Sequence, residues 1–147
     1  MCNVFDVAKY ILSEIGEMST MKLQKLCYYS LVEGLIAEES VVMFKNKVEA
    51  WANGPVCRDL WNVHKGAFYI KKGAIRDDLL STNEIPLQHK NYINIAIEKY
   101  GEMSGAQLSE KTHIEAPWKN AIGDVNSSKN SSTVISHKAI IEFYSEL

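Results

Sequence analysis

Apolar residues return every three or four positions through most of this chain, and after Ser40 the period changes to a β-like one between Val41 and Trp51. That pattern restricts the fold to a mainly α, compact helical domain with a small β element in the middle of the chain. Phe5, Ala8, Ile11, Leu12 and Ile15 form the first stripe, and Gly16 is its stop. Ser19 or Thr20 caps a second helix whose stripe is Leu23, Leu26, Cys27, Leu31 and Leu35, with Tyr28 and Tyr29 beside it. Val41 to Phe44 is a β-prone run, Lys45-Asn46-Lys47 a turn, and Val48 to Trp51 alternates as a short strand. Asn53-Gly54-Pro55 then breaks the chain. Pro55 suits the first turn of a helix to His64 that presents Val56, Leu60, Trp61 and Val63 inward. Phe68 to Ile70 is ambiguous, and Asp77 to Asn83 reads as loop. Helical spacing resumes from Pro86 to Tyr100, and Ser104-Gly105-Ala106-Gln107 has the form of a capping box. Pro117-Trp118 opens another helical turn, Asp124 to Thr133 reads as a mobile surface loop, and Ser136 caps a last helix carrying Ala139, Ile140, Phe143 and Tyr144.

The 147 residues have the length of one domain. Sixteen Lys+Arg against 18 Asp+Glu leave a net charge of −2, which argues against a dedicated nucleic-acid grip and against an anchor to anionic membrane. No apolar run approaches the roughly 20 residues of a membrane-spanning helix. The first residues carry Asp6 and no basic segment, unlike a signal peptide. Cys2, Cys27 and Cys57 are odd in number and widely spaced, so no disulfide framework is expected, and a reducing cytoplasm is the natural compartment.

Chemistry-bearing patterns are sparse. His113-Ile114-Glu115 has half of a zinc-deaminase signature, but every cysteine lies upstream of it and no paired-cysteine motif exists. No metal and no cofactor is expected. Cys27 reads as a small core residue. Cys57, beside Arg58 in the first turn of the expected helix, is a thiol whose pKa the helix dipole lowers, although a core or surface role is the default. The two short helices after Ser104 imitate a helix-turn-helix, with Lys119 as the second one's early cation.

Three segments taken together carry a resemblance. They are Met21-Lys22-Leu23-Gln24-Lys25-Leu26-Cys27-Tyr28-Tyr29, then Val48-Glu49-Ala50-Trp51-Ala52-Asn53-Gly54-Pro55-Val56, then Leu108-Ser109-Glu110-Lys111-Thr112-His113 with Glu115 and Pro117-Trp118. In this order the chain resembles the Panacea antitoxin domain family, which includes SocA-type antitoxins and phage-associated GepA-like proteins. The motif-bearing core runs from about residue 5 to 122, and 123–147 forms a motif-free tail. The resemblance implies a non-enzymatic antitoxin, encoded beside a toxin or in a prophage, that neutralises a cognate toxin by protein–protein contact. The SocA type further implies an adaptor role towards a Clp-family protease. Lys22, Lys25, Tyr28, Tyr29, His113, Glu115 and Trp118 are the expected partner-binding residues, on an aromatic-rimmed face. Trp51, Gly54, Pro55, Val56 and Trp61 form an expected rigid corner. His113 and Trp118 read equally well as partner contacts or as a buried network that fixes the fold. The alternative function is a DNA-binding regulator of its own operon.

Overall fold

Asn3 starts the first helix by a reciprocal exchange. Its side chain accepts from the Asp6 N–H, and the Asp6 carboxylate accepts from the Asn3 N–H. The helix that follows is α1 (Val4–Ile15), and Gly16, at φ 98°, ends it. The computed structural model describes residues 2–81, 84–123 and 131–147. After α1 come a two-residue strand β1 (Met18–Ser19), the long helix α2 (Thr20–Ala37), strands β2 (Val48–Trp51) and β3 (Gly54–Cys57), helix α3 (Arg58–His64) and strand β4 (Tyr69–Ile70). A single 3-10 turn at Asp77–Leu79 precedes α4 (Leu87–Tyr100), α5 (Gly105–His113), α6 (Ala116–Ile122) and α7 (His137–Tyr144). β1 pairs antiparallel with β4, and β2 with β3. The expected mainly helical fold with a small central β element is therefore present.

α2 organises everything else. Ser19 caps it, accepting from the Lys22 N–H, and every residue from Leu23 to Leu35 is buried. The sequence pattern suggested one apolar stripe. In the structure α1, α4, α5, α7 and β3 cover the helix on all sides. A helix enclosed on all sides is normally apolar all round; this one carries Gln24, Lys25, Ser30 and Glu33 into the interior, where an unpaired polar group is costly. Ser30 is paired locally, donating to the Leu26 carbonyl at 2.8 Å, and Glu33 pairs with Lys99 of α4 at 2.7 Å.

The middle of the chain differs from expectation in two places. Val41 to Phe44 is not a strand; it is irregular chain with Val41, Met43 and Phe44 buried. Pro55 does not begin a helix but sits in β3 opposite Ala50. Its missing N–H costs nothing there, because Ala50 turns its own N–H and carbonyl away from β3. They bond instead to the Thr133 carbonyl and the Ser131 N–H, both at 3.0 Å. Residues 131–135 thus run along the outer edge of β2, with the Ile135 N–H donating to the Val48 carbonyl at 2.8 Å. The ambiguous Phe68–Ile70 segment supplies β4. The Ser104–Gln107 capping box and the Ser136 cap are both formed. Residues 124–130 of the expected surface loop lie outside the described residues.

Candidate functional site

The three sequence motifs, far apart in the chain, meet in one polar seam. Gln24 on α2 makes the first join. Its side-chain oxygen accepts from the Cys57 N–H at 2.9 Å, its amide donates to the Cys57 carbonyl at 3.1 Å, and the same amide lies 3.0 Å from Nε2 of His64. One side chain thereby replaces a strand partner for the end of β3 and ties α3 to α2.

Lys25 makes the second join by shape. It is buried, at 1% exposure, and has no hydrogen-bond or ion-pair partner among the described residues. Burial pulls its ammonium down to about 7. Its stem passes directly under Gly54, which has φ 116°. A Cβ at Gly54 would lie 2.7 Å from both Lys25 Cε and Thr112 Oγ1. Gly54→Ala is therefore expected to destabilise the fold by about 1–3 kcal/mol, from backbone strain and displacement of Lys25. Urea denaturation checks this, and a loss under about 0.5 kcal/mol would show that the turn relaxes freely.

The third motif closes the seam. Ser109 donates to the Asn53 carbonyl at 2.7 Å and Thr112 to the Ser109 carbonyl at 2.7 Å. Trp118 donates its indole N–H to the Trp51 carbonyl at 2.7 Å. The His113 ring stacks on Trp118 with centroids 4.2 Å apart, and its Nε2 is buried with no hydrogen-bond partner among the described residues. Glu115 accepts at Oε1 from the Tyr29 and Tyr144 hydroxyls, at 2.5 and 2.8 Å, and at Oε2 from Lys111 at 2.6 Å. The Tyr28 hydroxyl joins that of Tyr144 at 3.1 Å. Burial raises the pKa of all three tyrosines, so they stay protonated donors. Trp51 meets Trp61 edge-on at 5.2 Å, carries the Arg58 guanidinium 5.0 Å over its ring, and donates to Glu49 at 2.9 Å.

This geometry relocates several residues expected on a partner-facing rim. Tyr28, Tyr29 and Lys25 are interior, and Glu115 and Trp118 are buried too. The rings of Tyr28 and Tyr29 go inside because Glu115 and Tyr144 give their hydroxyls acceptors there. Lys22 keeps its head near the surface, on the Gly101 carbonyl at 2.5 Å. Gly54, Pro55 and Val56 lie in β3, Trp51 meets Trp61 edge-on beside them, and Trp118 bonds to the Trp51 carbonyl. Cys57 is a buried residue at the cap of α3, and burial pushes its thiol up to about 11, opposite to the lowering expected from a helix N-terminus. Among the described residues no group of three His, Cys, Asp or Glu is placed to hold a metal ion, and no helix is long and apolar enough to cross a membrane.

The exposed chemistry lies beside the seam. A cleft of about 290 Å³ opens over Lys25, with Gln24 and His64 in its wall and Trp51 and Trp61 lining it. Next to it stand Phe68 and Tyr69, 73% and 60% exposed and in edge contact at 5.1 Å. His64 and Ala67 line both this cleft and the neighbouring groove that contains Tyr69 and Ile70. Neither aromatic belongs to a motif, and the only sequence signal for them was an apolar run too short to place.

The family profile that matches is described as antitoxin SocA-like, Panacea domain, over residues 23–119, from the first buried turn of α2 to just past Trp118. No curated protein and no solved structure matches the chain.

Proposed function

Because this chain belongs to the SocA-like, Panacea-domain antitoxin family, we propose that it neutralises a cognate toxin by direct protein–protein contact in the cytoplasm. The family match carries the antitoxin role, and it points to a regulatory rather than catalytic protein. The exposed Phe68–Tyr69 pair supports the contact surface. Two large aromatics in one strand-and-loop segment, beside a cleft, are the anchor type that interfaces bury. Delivery of the bound toxin to a Clp-family protease extends this reading along the SocA-type resemblance. The DNA-binding alternative gains no support from α6, which buries Pro117, Trp118 and Ile122 and carries Lys119 as its single cation.

Co-expression with the toxin of the neighbouring reading frame tests the proposal. Growth should be rescued and a complex should co-purify; failure of both would sink the proposal. The double variant Phe68→Ser/Tyr69→Ser should weaken toxin binding by about 100-fold while leaving the melting temperature within a degree or so, since neither side chain supports the core. Unchanged affinity would move the interface elsewhere.

A further inference from the structure

Lys25 is a buried lysine that lines a cleft and has no carboxylate beside it there. A buried ammonium without a counter-ion is costly, and a fold normally pairs it or replaces it. Here room is made for it instead: Gly54 has no side chain where the Lys25 stem passes. Lys25 lines the 290 Å³ cleft, whose lining also holds Lys65 and His64 and no carboxylate. Lys65 stands at the rim, its Nζ 5.6 Å over the Trp61 ring. The walls are mixed: Trp51, Trp61, Met21 and Val56 stand beside the polar Thr20, Gln24 and Asn53. That volume suits one side chain and is small for a nucleotide, and one buried monocation balances one monoanion.

We propose that this cleft is a receptor for a single carboxylate of the protein partner, an Asp or Glu side chain with apolar neighbours. Lys25 is its counter-ion, and the Trp51–Trp61 pair is the wall against which the flanking residues lie. The proposal rests on the toxin-binding reading above and names what the partner inserts beside Phe68 and Tyr69. The partner's carboxylate supplies the charge that the interior lacks, and closing the complex removes water from the pair, which strengthens it.

Lys25→Met is the discriminating variant, because it keeps the stem and removes the charge. The free variant should melt at a higher temperature than the wild type, yet bind the toxin at least about tenfold more weakly. Wild-type affinity in Lys25→Met overturns the carboxylate receptor and leaves the antitoxin reading standing. A wild-type protein that binds no toxin overturns that reading instead. A second measurement tests the cleft without the toxin. The intact protein, labelled at lysine, is titrated by NMR with acetyl-Leu-Glu-Leu-amide, with its Gln counterpart and with acetate. The Glu peptide alone should shift the Lys25 side-chain resonance, and Lys25→Met should abolish that signal. Equal shifts from the Glu and Gln peptides, or none, overturn the proposal. An equal shift from acetate assigns the site to free small acids and overturns the protein source.

Discussion

Replacing Trp118 with alanine is expected to cost about 3–5 kcal/mol, close to the whole stability of many domains this size. The indole is 6% exposed and belongs to the core, so truncation leaves a cavity. It also leaves the Trp51 carbonyl without the donor that reaches it at 2.7 Å, and strips the His113 ring of its stacking partner. Trp118→Phe separates these contributions. Most of the ring volume remains, so the loss should fall to about 1–3 kcal/mol, set by the orphaned carbonyl. Chemical denaturation of both variants reads the two values. Equal, small losses would mean that α6 is held to the β2–β3 turn by something other than this side chain.

Glu115→Ala is the second large effect, expected at about 3–5 kcal/mol. One carboxylate accepts from Tyr29, Tyr144 and Lys111, which belong to α2, α7 and α5. Alanine leaves two buried hydroxyls and a partly buried ammonium to find other partners, and the Lys111 ammonium also sits 5.5 Å from the Tyr29 and Tyr100 ring centres. Glu115→Gln should cost less, about 1–2 kcal/mol, because the amide oxygen still accepts while the amide N–H₂ opposes Lys111. If alanine and glutamine behave alike, the charge rather than the hydrogen-bond geometry holds the three helices. A loss below about 1 kcal/mol for alanine would show that the tyrosines repack without it.

Much of this arrangement is legible before any coordinates, and the gaps have physical causes. The helix caps at Ser19, Ser104 and Ser136 are local chemistry, readable from four residues at a time. The bond from Trp118 to the Trp51 carbonyl follows the motif residues themselves. The burial of α2 does not read out, because Gln24 and Glu33 resemble a solvated face until their distant partners Cys57 and Lys99 are known, and Lys25 is buried with no such partner among the described residues. The β3 strand hides behind Pro55, whose lack of an N–H suits a helix start and this non-bonded strand position equally. Tyr144 belongs to no motif, yet it completes the cluster around Glu115. Phe68 and Tyr69 were missed as surface anchors for the opposite reason: an apolar run says nothing about which side faces water.

The enclosure of α2 also sets an order in time. Three of the elements that cover it, α4, α5 and α7, come from the second half of the chain, and the Tyr28–Tyr144 contact spans 116 residues. At ribosomal rates of about 5–20 residues per second, α2 is made on the order of ten seconds before Tyr144 follows it. For that interval Tyr28, Tyr29 and Lys25 lack the envelope that hides them. The envelope of α2 is therefore complete only once the last helix, α7, has been made.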